Sequence, residues 1–518
     1  MSSFSFENRL RLAATKQAWP FSLPQVVGVA GLVGLAALLL AQQPFVVIGL
    51  VIGVAAFVLV TRHPEWGLYL MVLSVPGQSD ASIGLGGSRL TLTQATIFLA
   101  LAGWIGSRVL YKLPFIPRPL PRLLPFYALY LFTMFLSLTV AQSTSESFNE
   151  IYRWAVTAFA YWLACSVVQT RRQIWILVFC LCAGPVFEGA LGIYQSTHRL
   201  GPESYAINGS LSRAFGTFVM PNSYAGYLEM AIPLLAMLLL RLWLKRNEAT
   251  RQWMRLEGKP RETERKTLLT TYLWLVVALA ATGTVVLGNL LSFSRGGWLG
   301  LAVATLVLLL VNYRKTMPVL VIGGGLVLFL VLGLQTGAIP ESTFGRITSA
   351  ADDFRVFDVR DVKVNSANFA IVERMAMWQA GGNMFLSNPW LGVGIGNYNV
   401  RYPDFNTPFW PDSRGHAHNY YIQAAAETGL IGATAYMLLL LSGIFQGFSR
   451  AVRTRDSAWR FVIWGAFGVI IAVAMHNLVE DLHVLNMGIQ WSSLLALFYI
   501  VDRFEQKEGT SLQIPAQI

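Results

Sequence analysis

The sequence predicts an all-α integral membrane protein, and three observations predict it. Of 518 residues, 54% are hydrophobic and 13% charged, whereas soluble domains carry about 25% charged residues. Runs of roughly 17–25 apolar residues, each long enough to cross a hydrocarbon core of about 30 Å, recur from Val26 to Val501. Lys and Arg gather in the short stretches between those runs. The net charge of +12 alone would fit a nucleic-acid partner. The placement of the cations argues against one and for a membrane surface.

The apolar segments begin near Val26, Phe45, Gly67, Leu92, Leu123, Ile151, Gln173, Asn222, Leu268, Gly297, Met317, Asn419, Phe461 and Val484. Residues 67–75 are too short to span alone, so the count is roughly 12–14 transmembrane helices. Residues 26–41 follow Arg9, Arg11 and Lys16 with no small-residue cleavage pattern, and read as a retained span. Cys165, Cys180 and Cys182 fall inside apolar runs without metal-ligand spacing, and read as packing residues. No internal repeat is evident.

Cations fix an orientation. Lys112, Arg118 and Arg122 share one loop, Arg171 and Arg172 another, and Arg314-Lys315 a third; stretches 241–266 and 450–460 are also basic. These are expected in the cytoplasm, with both termini. Stretches 142–150, 196–221, 291–296, 338–418 and 479–483 carry few cations or offset them with acids, and are expected outside. The resulting division is 1–337 (spans), 338–418 (a large outer loop), 419–502 (spans) and 503–518 (a cytoplasmic tail). Within the large loop, Phe369, Val372, Ala376 and Ala380 recur at helical spacing, with Asn365 or Ser366 as the expected cap. Ser387-Asn388-Pro389 ends that helix.

The chemistry-bearing residues gather at the outer edge. Arg295, in Ser-Arg-Gly-Gly-Trp-Leu, stands at a span boundary, where an arginine faces a cavity or the interface rather than lipid. The ordinary reading is a snorkelling anchor. Arg213 precedes Pro221-Asn222, where Asn222 or Ser223 would cap a helix whose N-terminus favours an anion. The ordinary reading is a loop arginine. His418, with His416 two residues before it and Asn419, Gln423 and Glu427 after it, can take a proton from a hydroxyl near neutral pH. A lone histidine is more often structural. His416 and His418 offer two metal donors without a clear third, so no metal is expected. Arg374 lies on the loop helix and pairs locally in the ordinary case. Gly392, Gly394 and Gly396 lack the preceding strand of a dinucleotide site and read as a tight turn. Glu188 is mid-span, where an ionisable residue is functional by default or, equally, protonated and hydrogen-bonded to a neighbouring helix. His476-Asn477 and Glu480-Asp481-His483 rank low as further lining of the same cavity.

At these residues the chain resembles the O-antigen ligase / O-antigen polymerase superfamily of bacterial envelope glycosyltransferases. His418-Asn419, nine residues, Gly429, two residues, Gly432 is similar to the ligase-type histidine motif. Arg295 and Leu299 match an Arg-x-x-x-Leu motif, and Arg-Ala-Phe-Gly-Thr-Phe from Arg213 and the stretch 388–394 resemble two further family segments. The resemblance covers roughly residues 200–440.

The resemblance implies a GT-C-like membrane fold in a bacterial plasma membrane. It implies transfer of a glycan from an undecaprenyl-diphosphate donor to a glycan or lipid acceptor hydroxyl on the outer face, with inversion and without cofactor, metal or ATP. On that reading His418 is the general base. Arg295 and Arg213 bind the diphosphate with help from Arg374, and Asn419, Glu427 and His416 support the site. Fixed guanidiniums in a poorly hydrated site stabilise leaving-group charge, and losing one such donor costs on the order of 100- to 1,000-fold in rate. A general base adds ~100- to 10,000-fold. The competing class is a transporter or lipid flippase, for which Glu188 and Gly323-Gly324-Gly325 would speak.

Overall fold

The computed structural model describes residues 44–78, 82–85, 88–116, 119–207, 211–254, 262–311, 357–360, 362–365 and 368–511, with residues 28, 31 and 34. The spans expected from Val26 and Met317, the Gly323–Gly325 run, Arg118, Arg314-Lys315, Ser366 and the first part of the large loop lie outside or mostly outside these residues.

The described chain is helical apart from two short hairpins. Helices α1 (Pro44–Arg62), α2 (Pro64–Ser74) and α3 (Leu92–Leu110) come first, with strands β1 (Ser82–Leu85) and β2 (Ser88–Thr91) between α2 and α3. Then follow α4 (Leu124–Ser137), α5 (Thr144–Val167) and α6 (Arg171–Thr197). Strands β3 (Ala206–Ile207) and β4 (Leu211–Ser212) precede α7 (Pro221–Glu229), α8 (Ile232–Met254), α9 (Glu262–Leu291) and α10 (Arg295–Val311). The loop region holds α11 (Phe369–Ser387) and α12 (Tyr398–Phe405). Helices α13 (Tyr420–Arg453), α14 (Ser457–His476) and α15 (Gly488–Ser511) close the chain.

Local chemistry explains the boundaries. Thr91 and Thr170 each form a reciprocal capping box with the glutamine three residues on, starting α3 and α6. Asp456 accepts from two backbone N–H groups and starts α14. At α11 the sequence expectation needs correction. Its N-cap is Asn368, without a side-chain cap bond, and Asn365 instead exchanges backbone-to-side-chain bonds with Asn368.

Among the described residues five helices are long and apolar enough to cross a membrane, and three shorter apolar helices accompany them. Helix α2, with 11 residues, is indeed too short to span. The core between α4, α5, α13 and α15 is aromatic. Trp154 packs against Tyr130, with ring centroids 4.8 Å apart, and Tyr130 and Tyr420 share a hydroxyl hydrogen bond of 2.9 Å.

The two ends of the bundle differ. At one end, arginines of the predicted cytoplasmic loops hold acids: Arg450 is 2.7 Å from Asp502, Arg171 3.5 Å from Asp456, and Arg122 3.8 Å from Asp502. At the other end meet the starts of α5, α7, α10 and α13 and the end of α14, together with the loop before α13.

Candidate functional site

The site begins with a strained residue. His418 has φ of +48°, a left-handed conformation that costs an L-residue roughly 1–2 kcal/mol. Hydrogen bonds on either side hold it there. Its N–H donates to His416 Nδ1 at 3.1 Å. Asn419 caps α13 through the backbone N–H groups of Tyr421 and Ile422, and its amide donates to the Leu478 carbonyl at 2.8 Å. The Tyr420 N–H donates to the Asn477 carbonyl at 2.9 Å. The turn bearing His418 is thereby stitched to the turn that follows α14.

That second turn supplies the partner. His418 Nδ1 lies 2.9 Å from Glu480 Oε1, and His416 Nε2 lies 3.5 Å from the same oxygen. The imidazole side chains are 20% and 23% exposed, the carboxylate 4%, so both rings are open to a reactant while the acid is not. Burial alone would raise the Glu480 carboxyl. The neighbouring and hydrogen-bonded His418, then His416 and Arg374, reverse this and hold it well below the usual range. Burial, the neighbouring His418 and the Arg374 charge push the His416 ring down to about 4, against the pull of Glu480. An ionised Glu480 accepts a hydrogen bond from His418 Nδ1. A ring acting as a base in that tautomer would offer Nε2, which makes no hydrogen bond to a described residue.

The second oxygen of Glu480 continues the network. Asn222 Nδ2 donates to Glu480 Oε2 at 2.6 Å. Arg213 Nη2 donates to Asn222 Oδ1 at 3.1 Å, and its Nε donates to the Ser292 carbonyl at 2.8 Å. The expected capping role of Asn222 is therefore wrong. Helix α7 starts at Pro221 with Met220 as an N-cap that makes no side-chain bond, and the Asn222 amide is consumed by the bridge.

Arg295 opens α10, half-buried, just past the turn that Arg213 grips. Gly296 presses on the end of α14: a Cβ there would lie 2.5 Å from His476 Cδ2 and 2.8 Å from Val479 Cγ2. The close approach seats the Arg295 turn against the residues that lead into Glu480. His476 is fixed from behind by buried Glu229, at 3.0 Å. Arg374 reaches the same place from α11, where its charge acts on both Glu480 and His416. Its neighbour Glu373 holds Arg414, far along the chain, at 3.1 Å.

Two expected residues act differently. Glu427 does not meet His418. Its Oε1 accepts from the Tyr398 N–H at 3.0 Å and from Gln423 Nε2 at 2.9 Å, while Gln423 Oε1 accepts from the Ala417 N–H at 2.8 Å. It anchors the loop from below. Glu188, mid-helix in α6, accepts from the Thr217 N–H at 2.9 Å and Oγ1 at 3.0 Å and fastens the stretch after Arg213. The glycines at 392, 394 and 396 form a strap wedged against α13 and the start of α5, where a Cβ on Gly394 would lie 2.5 Å from the Ala141 Cα.

Sequence reasoning ranked Glu480 too low and did not single out Arg153. Arg153 sits roughly two and a half turns into α5, pairs with Glu150 at 2.6 Å, and its charge reaches His416 and Asp481. The structure also supplies the missing third donor beside the two histidines: donor atoms of His416, His418 and Glu480 all lie within 4.8 Å of one another.

The family model described as O-antigen ligase matches residues 277–437. This portion includes Arg295, Arg374, the glycine strap, His416, His418, Glu427 and Gly429, and over it the chain is similar to the O-antigen ligase family. Over 167 residues the chain is 27% identical to an uncharacterized protein of Haemophilus influenzae, covering 31% of this chain and 40% of that protein. The chain thus aligns with about two fifths of that relative's length.

Proposed function

We propose that the protein transfers a glycan from an undecaprenyl-diphosphate carrier to an acceptor hydroxyl at the outer face of a bacterial plasma membrane. One observation carries the reading: a continuous hydrogen-bonded path runs from His418 through Glu480 and Asn222 to Arg213. It joins a base to a diphosphate-binding cation.

In this mechanism Glu480 holds the His418 proton on Nδ1, and Nε2 takes the proton of the acceptor hydroxyl. The acceptor oxygen attacks the anomeric carbon from the face opposite the diphosphate. The carbon–oxygen bond to the carrier breaks with inversion, and undecaprenyl diphosphate leaves. Arg213, Arg295 and Arg374 receive the charge that grows on the leaving phosphate. The lipid donor is already activated, so the scheme needs neither ATP nor a metal. Ligase and polymerase share this chemistry and differ in acceptor.

The test is transfer by purified protein supplied with undecaprenyl-diphosphate glycan and candidate acceptors. Wild type should transfer, His418→Ala and Arg295→Ala should not, and undiminished transfer in both variants would remove the assigned roles.

A transporter or flippase is the second reading. It keeps one observation, a buried Glu229 with an oxygen lacking a hydrogen bond, where α7 ends and α8 begins. Ion uptake into proteoliposomes without glycan transfer would favour it. Glu188 no longer speaks for it, since Thr217 satisfies that carboxylate.

A further inference from the structure

The juxtaposition of His416, His418 and Glu480 has a consequence beyond proton transfer. His416 Nε2 and His418 Nδ1 stand 3.5 Å and 2.9 Å from Glu480 Oε1, and one donor atom from each of the three residues lies within 4.8 Å of the others. Ligands at about 2.0–2.2 Å from a tetrahedral zinc ion stand roughly 3.2–3.6 Å apart. The cluster needs small side-chain movements to reach that geometry. Two of the donors sit on the turn before α13 and one on the turn after α14, and the two imidazoles are partly exposed. An ion therefore has a route in from solvent. Two imidazoles and one carboxylate suit zinc, copper or nickel, and suit magnesium or calcium poorly.

We propose that these three residues form an inhibitory binding site for a divalent transition-metal ion, with zinc as the reference case. The inhibitory part rests on the reading of His418 as the base. Neutral His418 carries its single proton on Nδ1, toward Glu480, and its reactive lone pair on Nε2. An ion bound at Nδ1 takes the lone pair there, so the ring's proton must reside on Nε2. The ring's proton count is unchanged, but the base is gone. His416 undergoes the corresponding exchange. Its Nδ1 accepts the His418 N–H at 3.1 Å, so its proton lies on Nε2. Binding through Nε2 moves that proton to Nδ1 and breaks the bond to the His418 backbone. The ion thus also removes one of the contacts that hold His418 in its left-handed conformation. Arg374 and Arg153, whose charges act on His416, oppose a bound cation, while Glu480 supplies the compensating charge. The balance keeps the site readily emptied by a chelator.

The test uses full-length, detergent-solubilised protein without a polyhistidine tag. Zinc binding is measured by equilibrium dialysis and metal analysis, and cobalt binding by its visible spectrum. Wild type is compared with His416→Gln and Glu480→Gln, each confirmed as folded by size exclusion and thermal melting, with magnesium as the control ion. Wild type should bind a single zinc ion per chain and give a tetrahedral cobalt band. Each variant should bind more weakly by at least the roughly 10- to 100-fold that even outer-shell losses cost. Zinc should abolish transfer in step with occupancy, a chelator should restore it, and His416→Gln should need correspondingly more zinc, whatever its own basal rate. Absence of zinc binding by folded wild type would overturn the proposal, as would equal affinity in both variants. Full occupancy with unimpaired transfer would overturn its inhibitory part. Binding is read without substrate, so a protein that holds zinc through these residues yet never transfers a glycan refutes the glycosyl-transfer reading and leaves the metal site standing.

Discussion

His418 Nδ1 and Glu480 Oε1 lie 2.9 Å apart across 62 residues of sequence, with Glu480 almost wholly buried and His418 partly open. The acid acts through the imidazole: it sets the tautomer and aims the ring. Replacing Glu480 with Gln should therefore lower kcat on the order of 100-fold or more, as loss of an orienting carboxylate does elsewhere, and leave the donor KM nearly unchanged. Glu480→Asp should recover part of the rate. A purely structural role would instead lower the melting temperature without that split, and steady-state kinetics beside thermal melting separates the two.

The Asn222 bridge makes a different prediction. Asn222→Ala removes the link between Arg213 and Glu480 while keeping both charges. Donor KM should rise, because Arg213 loses a bond that aims its guanidinium. Arg213→Lys should be worse, on the order of 100- to 1,000-fold in kcat/KM, since an ammonium cannot reproduce the planar fork. An Arg213→Lys enzyme with wild-type kcat/KM would remove Arg213 from the diphosphate site.

Gly296 tests the placement of Arg295. A side chain at this position meets His476 and Val479 at 2.5–2.8 Å, so Gly296→Val should displace the first turn of α10 and cut transfer by at least about tenfold, in the way small misplacements do. Gly382→Ala is the control, since a Cβ there meets nothing within 4 Å. Equal activity in the two variants would show that the α10 turn does not position the reaction.

The contribution of His416 to stability should fall as pH falls from about 6.5 to about 4. His416 is held down to about 4 in the folded state, mainly by burial, so the unfolded chain binds its proton first. That contribution is complete above the ordinary histidine value and is lost as pH drops toward the folded one, up to ~3 kcal/mol by linkage. His416→Gln should flatten this part of the pH–melting-temperature curve. An unchanged curve would mean that His416 is not neutral in the folded protein.

Much of this arrangement was legible in the sequence. Arg295 opens α10 and Arg213 precedes α7, on the side expected to face outward, where a cation is conspicuous, and His418 stands just before an apolar helix. Glu480 was harder to read because its partner is distant in sequence, and an acid in a short loop looks like an ordinary solvated charge. Asn222 was misread because a cap and a bridge need the same residue type after Pro221. The glycine spacing after His418 becomes intelligible only in three dimensions. Gly429 has φ of +62° inside α13, and any side chain there would enter the Trp390 backbone of the strap. That motif preserves a crossing of two segments as much as it marks chemistry.

The coupling between His418 and Glu480 is measured most directly by a double-mutant cycle in glycan transfer from the undecaprenyl-diphosphate donor. If Glu480 works through His418, the double variant His418→Ala/Glu480→Gln should be no slower than His418→Ala alone. Independent, multiplying losses in the double variant would contradict the account.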